Sequence, residues 1–99
     1  MRKIKSTRIY CLIDPTSDKV FYVGITMCSL RKRLSEHLCS QNKKIKRIVD
    51  RLSKKSLKPI IEELEVCTWM ESHTRERDWI IHFIDQGCRL CNKVLLPVK

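Results

Sequence analysis

Arg33 and His37 stand four residues apart in the stretch LRKRLSEHL. On a helix that spacing puts both on one face, a fixed guanidinium fork beside an imidazole that titrates near neutrality. Taken singly, each is an ordinary solvated residue at the edge of an apolar stripe. Together they put a fixed positive fork and a titratable imidazole near the sheet. Glu76 lies four residues before Ile80 and seven before Phe83, so it shares their inward helical face. An ionised carboxylate facing a core is costly unless it is paired or bound to a metal. A hard oxygen ligand for Mg²⁺ and a salt-bridge partner for Arg33 are the two readings. Glu71 falls on a first helical turn, where the helix dipole accounts for it. Tyr10 and Tyr22 occupy neighbouring strand-like runs. Core packing explains either one; the alternative is that both phenols point toward the end of the sheet that holds Arg33 and Glu76.

The elements that must position these side chains follow from patterning. Residues 8–14 (RIYCLID) and 20–26 (VFYVGIT) are β-branched and aromatic and read as strands. Pro, Ser and Asp between them make a turn, so the pair forms an antiparallel hairpin. Gly24 interrupts the second strand, which marks either a bulge or a close backbone approach. Ser29 caps a helix over 29–40 whose Leu30, Leu34 and Leu38 form an i, i+4 stripe. A second helix spans 42–54, with Ile45, Ile48, Val49 and Leu52 inward. Pro59 opens a third strand at Ile60–Thr68. A last helix over 71–86 buries Ile80, Phe83 and Ile84 and ends at Gly87, before a short extended tail over 88–99. The order β-β-α-α-β-α gives an α+β fold, a three-stranded antiparallel sheet with flanking helices, in one domain over 1–99.

Composition narrows the partner. Lys and Arg number 21 against 11 Asp and Glu, a formal net charge of +10. A chain this basic concentrates polyanions, which puts nucleic acid ahead of an anionic membrane. No apolar run approaches the roughly 18–20 residues of a membrane span, and the basic N-terminus leads into no long apolar segment; a soluble, cytoplasmic protein is expected. The six cysteines, Cys11, Cys28, Cys39, Cys67, Cys88 and Cys91, are expected as reduced thiols. Cys88 and Cys91 have the C-x-x-C spacing of half a zinc site, without a second pair.

At these residues the sequence resembles the GIY-YIG nuclease family. Arg8-Ile9-Tyr10 stands where the family has Gly-Ile-Tyr, and Tyr22-Val23-Gly24 is a form of Tyr-Ile-Gly. LRKRLSEH is similar to the family's arginine helix, with His37 four residues beyond Arg33. ERDWI looks like its Glu-x-x-Trp-Ile helix, and Asn92 matches the asparagine that closes the domain. The resemblance runs over about residues 7–93, in order; each tripeptide alone is weak, and the ordered set of five is what is specific.

The resemblance implies a DNA endonuclease that cuts one strand per active site. Glu76 would hold one divalent cation, Mg²⁺ or Mn²⁺, against the scissile phosphate. Arg33 would stabilise the transition state by contact with the phosphate. Tyr10 is the candidate general base for the attacking water, with Tyr22 and His37 orienting water or phosphate. A phenol that titrates near 10 needs Arg33 or the metal nearby to favour phenolate. Gly24 and Asn92 would support the active-site backbone. Lys43, Lys44, Lys46, Arg47, Arg51, Lys54 and Lys55 cover the second helix and would track the DNA backbone without reading bases, unless they only solvate that face. A monomer or homodimer, with or without a protein partner, would serve. The competing readings are a scaffold that binds nucleic acid without cutting it and an adaptor stapled by zinc at Cys88 and Cys91.

Overall fold

The run RIYCLID is apolar on both sides of its pleat, which suits a strand covered on both faces. In the computed structural model, which describes residues 6–92, it lies at the centre of the sheet. Strands β1 (Ser6–Asp14), β2 (Lys19–Thr26) and β3 (Ile60–Thr68) stand in the order β2-β1-β3, with β1 antiparallel to both neighbours. Three helices complete the chain: α1 (Leu30–Leu38), α2 (Lys43–Ser53) and α3 (Trp69–Asp85). The β-β-α-α-β-α order and the α+β architecture are those expected from the sequence.

Alternate residues of β1 feed two cores. Tyr10 and Leu12 pack with Phe21, Ile45 and Cys91 against Leu30 and Leu34 of α1 and Ile48 and Val49 of α2. Ile9 packs with Val23, Ile80 and Phe83, and α3 covers that cluster. Two irregularities keep the faces in phase. The β1–β2 register shifts between Leu12 and Ile13, which pair with Tyr22 and Val20; Phe21 is the extra residue, and it joins Tyr22 on the face of α1 and α2. The β1–β3 register shifts between Ile9 and Tyr10, which pair with Glu65 and Glu63. A one-residue slip otherwise sends every side chain to the wrong face, and a bulge absorbs it locally.

The helix ends are set by side chains. Ser29 Oγ accepts from Lys32 N at 3.2 Å, and Asn42 Oδ1 accepts from Lys44 N at 2.9 Å and Ile45 N at 3.2 Å. The last helix begins two residues earlier than the sequence reading, at Trp69 rather than Glu71. Thr68 Oγ1 accepts from Glu71 N while Glu71 Oε1 accepts from Thr68 N, both at 3.3 Å. Glu71 thus closes a capping box, a more specific role than complementing a dipole. Gly87, at φ +86°, ends the helix: its N–H reaches Ile84 O at 2.9 Å and that of Cys88 reaches Phe83 O at 3.0 Å, a paired closure that needs the left-handed conformation. Beyond it the chain turns back along the outer edge of β2, where Cys91 N donates to Phe21 O at 2.6 Å. The outer edge of β3 carries Glu62 and Glu63, both exposed, and the half-buried Glu65. Residues 93–99 of the expected extended tail lie outside the described residues.

Asp14 ties the hairpin turn to α2. Its Oδ1 accepts from Thr16 N at 2.8 Å and Thr16 Oγ1 at 2.6 Å, and its Oδ2 is paired with Arg51. Its backbone oxygen accepts from Asp18 N at 2.7 Å, and Asp18 takes the left-handed conformation at φ 59°, which Asp tolerates better than most residues. Burial opposes ionisation of Asp14, but the hydrogen bonds from Thr16 and Arg51 outweigh it and hold the carboxyl below its usual range. A carboxyl depressed in the folded state stabilises the fold above its unfolded pKa of about 4, and that contribution is lost as pH falls through the folded value. Asp14→Asn is therefore expected to lower stability near pH 7 by roughly 1–3 kcal/mol. In urea denaturation, the gap to wild type should close as the pH is brought below the carboxylate range; a gap independent of pH would show that charge is not what holds this turn.

Candidate active site

Tyr10 is fully buried, and its ring lies across Gly24, its cross-strand partner on β2. A Cβ at position 24 would stand 2.5 Å from Tyr10 Cζ and 2.8 Å from Cε1, inside van der Waals contact. Of the two roles the sequence allowed Gly24, close approach is the one observed, and the bulge on β2 lies at Phe21 instead. Gly24 is small so that an aromatic ring can occupy its face.

The capped first helix brings two groups to the Tyr10 hydroxyl. Arg33 Nε donates to Tyr10 Oη at 3.0 Å, and His37 Nε2 lies 2.6 Å from the same oxygen. Since Oη accepts from Arg33, its own proton is directed to His37 Nε2. That nitrogen must then be unprotonated, with Nδ1 carrying the ring hydrogen, a tautomer assigned from the network. The electrostatics agree: burial first, then the Arg33 charge, push the His37 pKa down to about 4, so the imidazole is neutral at pH 7. Tyr22 completes the cluster, its ring centroid 5.0 Å from His37 and 6.2 Å from Tyr10.

Burial dominates the phenols. It pushes the Tyr10 pKa up, Tyr22 and Glu76 add to the rise, and the hydrogen bond and charge of Arg33 only partly offset them. The sequence reading looked to Arg33 to favour phenolate at Tyr10; it acts in that direction but loses to desolvation. Tyr22 is also raised, burial first, against the Arg33 charge. Arg33 itself stays cationic: burial opposes its charge, but the bonds to Tyr10 and Glu36 prevail and raise its pKa.

Glu76 is half-buried on α3, and its charge acts on both phenols. Burial raises its pKa, with His73 opposing. Among the described residues it makes neither a hydrogen bond nor an ion pair. The salt bridge considered between Glu76 and Arg33 is not formed; Arg33 Nη1 pairs with Glu36 Oε1 at 3.1 Å. The sequence reading did not single out Glu36, although its i, i+3 spacing from Arg33 was the available signal. No group of three His, Cys, Asp or Glu suited to a metal occurs among the described residues, so any cation at Glu76 would draw its remaining ligands from water and substrate. Mg²⁺ accepts such an arrangement, since it keeps several waters and commonly takes one or two carboxylates with phosphate oxygens.

Asn92 braces the strand that carries Tyr22 and Gly24. Its Oδ1 accepts from Val23 N at 2.9 Å and its Nδ2 donates to Val23 O at 2.6 Å, so one side chain satisfies both backbone groups of the residue between them. Trp79 of the ERDWI stretch donates to Glu65 Oε1 at 3.0 Å, where Arg75 also binds. Cys88 and Cys91 are free thiols packed in different clusters, Cys91 with Tyr10 and Cys88 with Ile80 and Phe83.

A family model described as the GIY-YIG catalytic domain matches residues 7–86, the span that holds Tyr10, Tyr22, Arg33, His37 and Glu76. The chain belongs to the GIY-YIG family. No curated protein and no solved structure shows a significant match to it. The family is a nuclease family, and the described residues contain no helix long and apolar enough to cross a membrane. The GIY-YIG signature tyrosines are thus one fully buried phenol at the sheet centre and one half-buried phenol beside it.

Because Tyr10 and Gly24 share one space, their substitutions should couple. Gly24→Ala is expected to destabilise by roughly 1–3 kcal/mol through overpacking, and to cost less in a Tyr10→Leu background. A double-mutant cycle in urea denaturation reads the coupling. Additive losses would mean that the tyrosine ring is not what excludes a methyl group at position 24.

Proposed function

We propose that this chain is a divalent-metal-dependent endonuclease that hydrolyses DNA phosphodiester bonds, one strand per active site. The observation that carries the reading is the convergence on one hydroxyl of Arg33 and His37, with Tyr22 alongside and an unpaired carboxylate, Glu76, acting on both phenols.

Free phenolate is a poor candidate for the base, since burial disfavours it. The hydrogen-bond directions offer another route. Tyr10 Oη, itself fully buried, would receive the proton of the attacking water through the half-buried Tyr22 hydroxyl beside it as it passes its own proton to His37 Nε2. His37 alone is a weak base, depressed first by burial and then by the Arg33 charge. An arriving phosphate anion offsets that charge and raises the proton affinity of the imidazole, so the base strengthens when substrate is bound. Arg33 is already fixed through Nε and Nη1, and its guanidinium reaches the Tyr22 phenol as well. That makes it a rigid donor for a phosphate oxygen and for the charge that builds on it in the transition state. Glu76 would hold Mg²⁺ or Mn²⁺, which when bound neutralises charge on the phosphoryl oxygens and the leaving 3′-oxygen. Gly24 and Asn92 keep Tyr10 and the Tyr22 strand in place.

Lys43, Lys44, Lys46, Arg47, Lys54 and Lys55 are exposed on and just beyond α2 and would follow the DNA backbone without reading sequence. Arg51, placed in the same set by the sequence, has its guanidinium engaged by Asp14, so its first duty is to the fold.

Supercoiled plasmid incubated with Mg²⁺ should become nicked circle before it becomes linear, and EDTA should abolish the reaction. Glu76→Ala should cut at least about 100-fold more slowly while still shifting DNA in a binding assay. Wild-type protein that binds DNA but leaves it intact with Mg²⁺ or Mn²⁺ would favour the non-cleaving scaffold. A second expectation concerns pH. The profile of kcat/KM reports the free enzyme, whose His37 is neutral down to about 4 and whose Glu76 titrates above the usual carboxylate range. Activity should therefore fall in acid as Glu76 is protonated, at a pH raised above the usual carboxylate range by burial, with no separate step from His37. An inflection at the ordinary histidine value would count against a buried, depressed His37.

A further inference from the structure

Seven residues before Glu76, at the first turn of α3, Trp69 is 50% exposed and Met70 beside it is 91% exposed. The half of this indole that stays in water has no folding benefit to explain it, and the helix start does not depend on it, being capped by Thr68 and Glu71. Trp69, His73 and Arg77 follow at i, i+4 and i+8 and form one ridge of the helix. The Trp69 and His73 rings meet edge to face with centroids 5.5 Å apart. His73 lies near enough to Glu76 for its charge to oppose the burial effect there. Arg77 is exposed and makes no ion pair among the described residues. Aromatic, imidazole and guanidinium therefore lead along the helix to the carboxylate of the proposed active site. At 1.5 Å per residue the indole stands about 10 Å from Glu76 along the axis, the rise of roughly three stacked nucleotides.

We infer that Trp69 is a stacking platform for an unpaired nucleobase of the strand being cut, with Arg77 beside it on the backbone phosphate. The substrate of this site is then DNA with unpaired bases near the scissile phosphate, rather than continuous duplex. The inference rests on the nuclease reading above. The indole offers a flat, rigid π-face, and base stacking on such a face is tolerant of sequence. A paired base has both faces occupied by its neighbours and cannot use it. The net charge of +10 draws in the polyanion, and the exposed ring then selects the strand whose bases are free.

The test compares wild type, Trp69→Ala and Trp69→Phe in EDTA, so that nothing is cut. Each is titrated at one salt concentration with labelled single-stranded oligodeoxythymidylate and with a blunt duplex of equal length, and intrinsic fluorescence is followed in parallel. Trp69→Ala should weaken single-strand binding about 5- to 100-fold and leave duplex binding unchanged, while Trp69→Phe keeps most of the affinity. The single strand should quench wild-type fluorescence, and the quench should vanish in Trp69→Phe, where Trp79 alone remains; this holds the test open even if the alanine variant folds poorly. Equal losses on both DNAs, or no loss on either, overturn the inference, the second result leaving this face to a protein partner. Cutting by wild type in Mg²⁺, scored separately on duplex and on a bubble, reads the nuclease proposal by itself. Duplex cut as fast as the bubble also overturns the platform, whereas cutting of neither sinks only the nuclease reading.

Discussion

The hydroxyl of Tyr10 is the point on which the site depends. It accepts from Arg33 and is directed to His37, and both partners come from one short helix. A buried phenol that lacked either would carry an unmet hydrogen-bonding group in the core, at a cost of about 1–3 kcal/mol. The polar cluster is therefore part of the packing as well as of the chemistry. It registers α1 against β1, and it does so only because Gly24 leaves the ring room to lie flat over β2. Asn92 then fixes β2 from its outer side. Strand, helix and tail each meet the site through a directional bond or a hard steric limit.

Charge is arranged with the same economy. Three of the described ion pairs cross seams, Arg51 with Asp14 between α2 and the hairpin turn, Arg75 with Glu65 between α3 and β3, and Arg8 with Glu63 between β1 and β3, while Arg33 with Glu36 and Arg75 with Asp78 lie within one helix. Most are partly exposed and contribute little to stability singly. Asp14 is the exception, its side chain 11% exposed, which is why its protonation is felt by the fold. Glu76 differs from all of them. It is partly withdrawn from water with no hydrogen-bond or ion-pair partner among the described residues, a costly state for its charged form that a bound cation would relieve.

The fold was legible in the sequence because its signals are local. The leucine stripe of α1, the cap at Ser29, the hairpin turn and the glycine stop at Gly87 all act within a few residues, and each stands where patterning put it. The start of α3 was two residues off because the Thr68–Glu71 capping box outweighs the appearance of strand in the residues before it. The candidate site was legible as a list of residues through their order along the chain, and much less as chemistry. Helical spacing put Arg33 and His37 on one face, but it could not say that both would turn to Tyr10. Nor could it say that burial would overcome the guanidinium in setting the Tyr10 pKa. That balance depends on neighbours from other strands and helices, Tyr22, Arg33 and Glu76, and spacing carries no information about desolvation. The bulge at Phe21 was likewise out of reach, since it follows from the pairing of two strands and not from either one.

The two outer strands of the sheet are finished differently. Along β2 the returning chain at Cys91 and Asn92 takes up backbone groups that would otherwise face outward. Along β3 no such cover lies among the described residues, and Glu62, Glu63 and Glu65 stand there instead. Glu63 is paired with Arg8 and Glu65 with Arg75, so a second molecule adding a strand at that border would meet the charge of Glu62 and a row of fixed ion pairs, which discourages self-association through an open sheet edge.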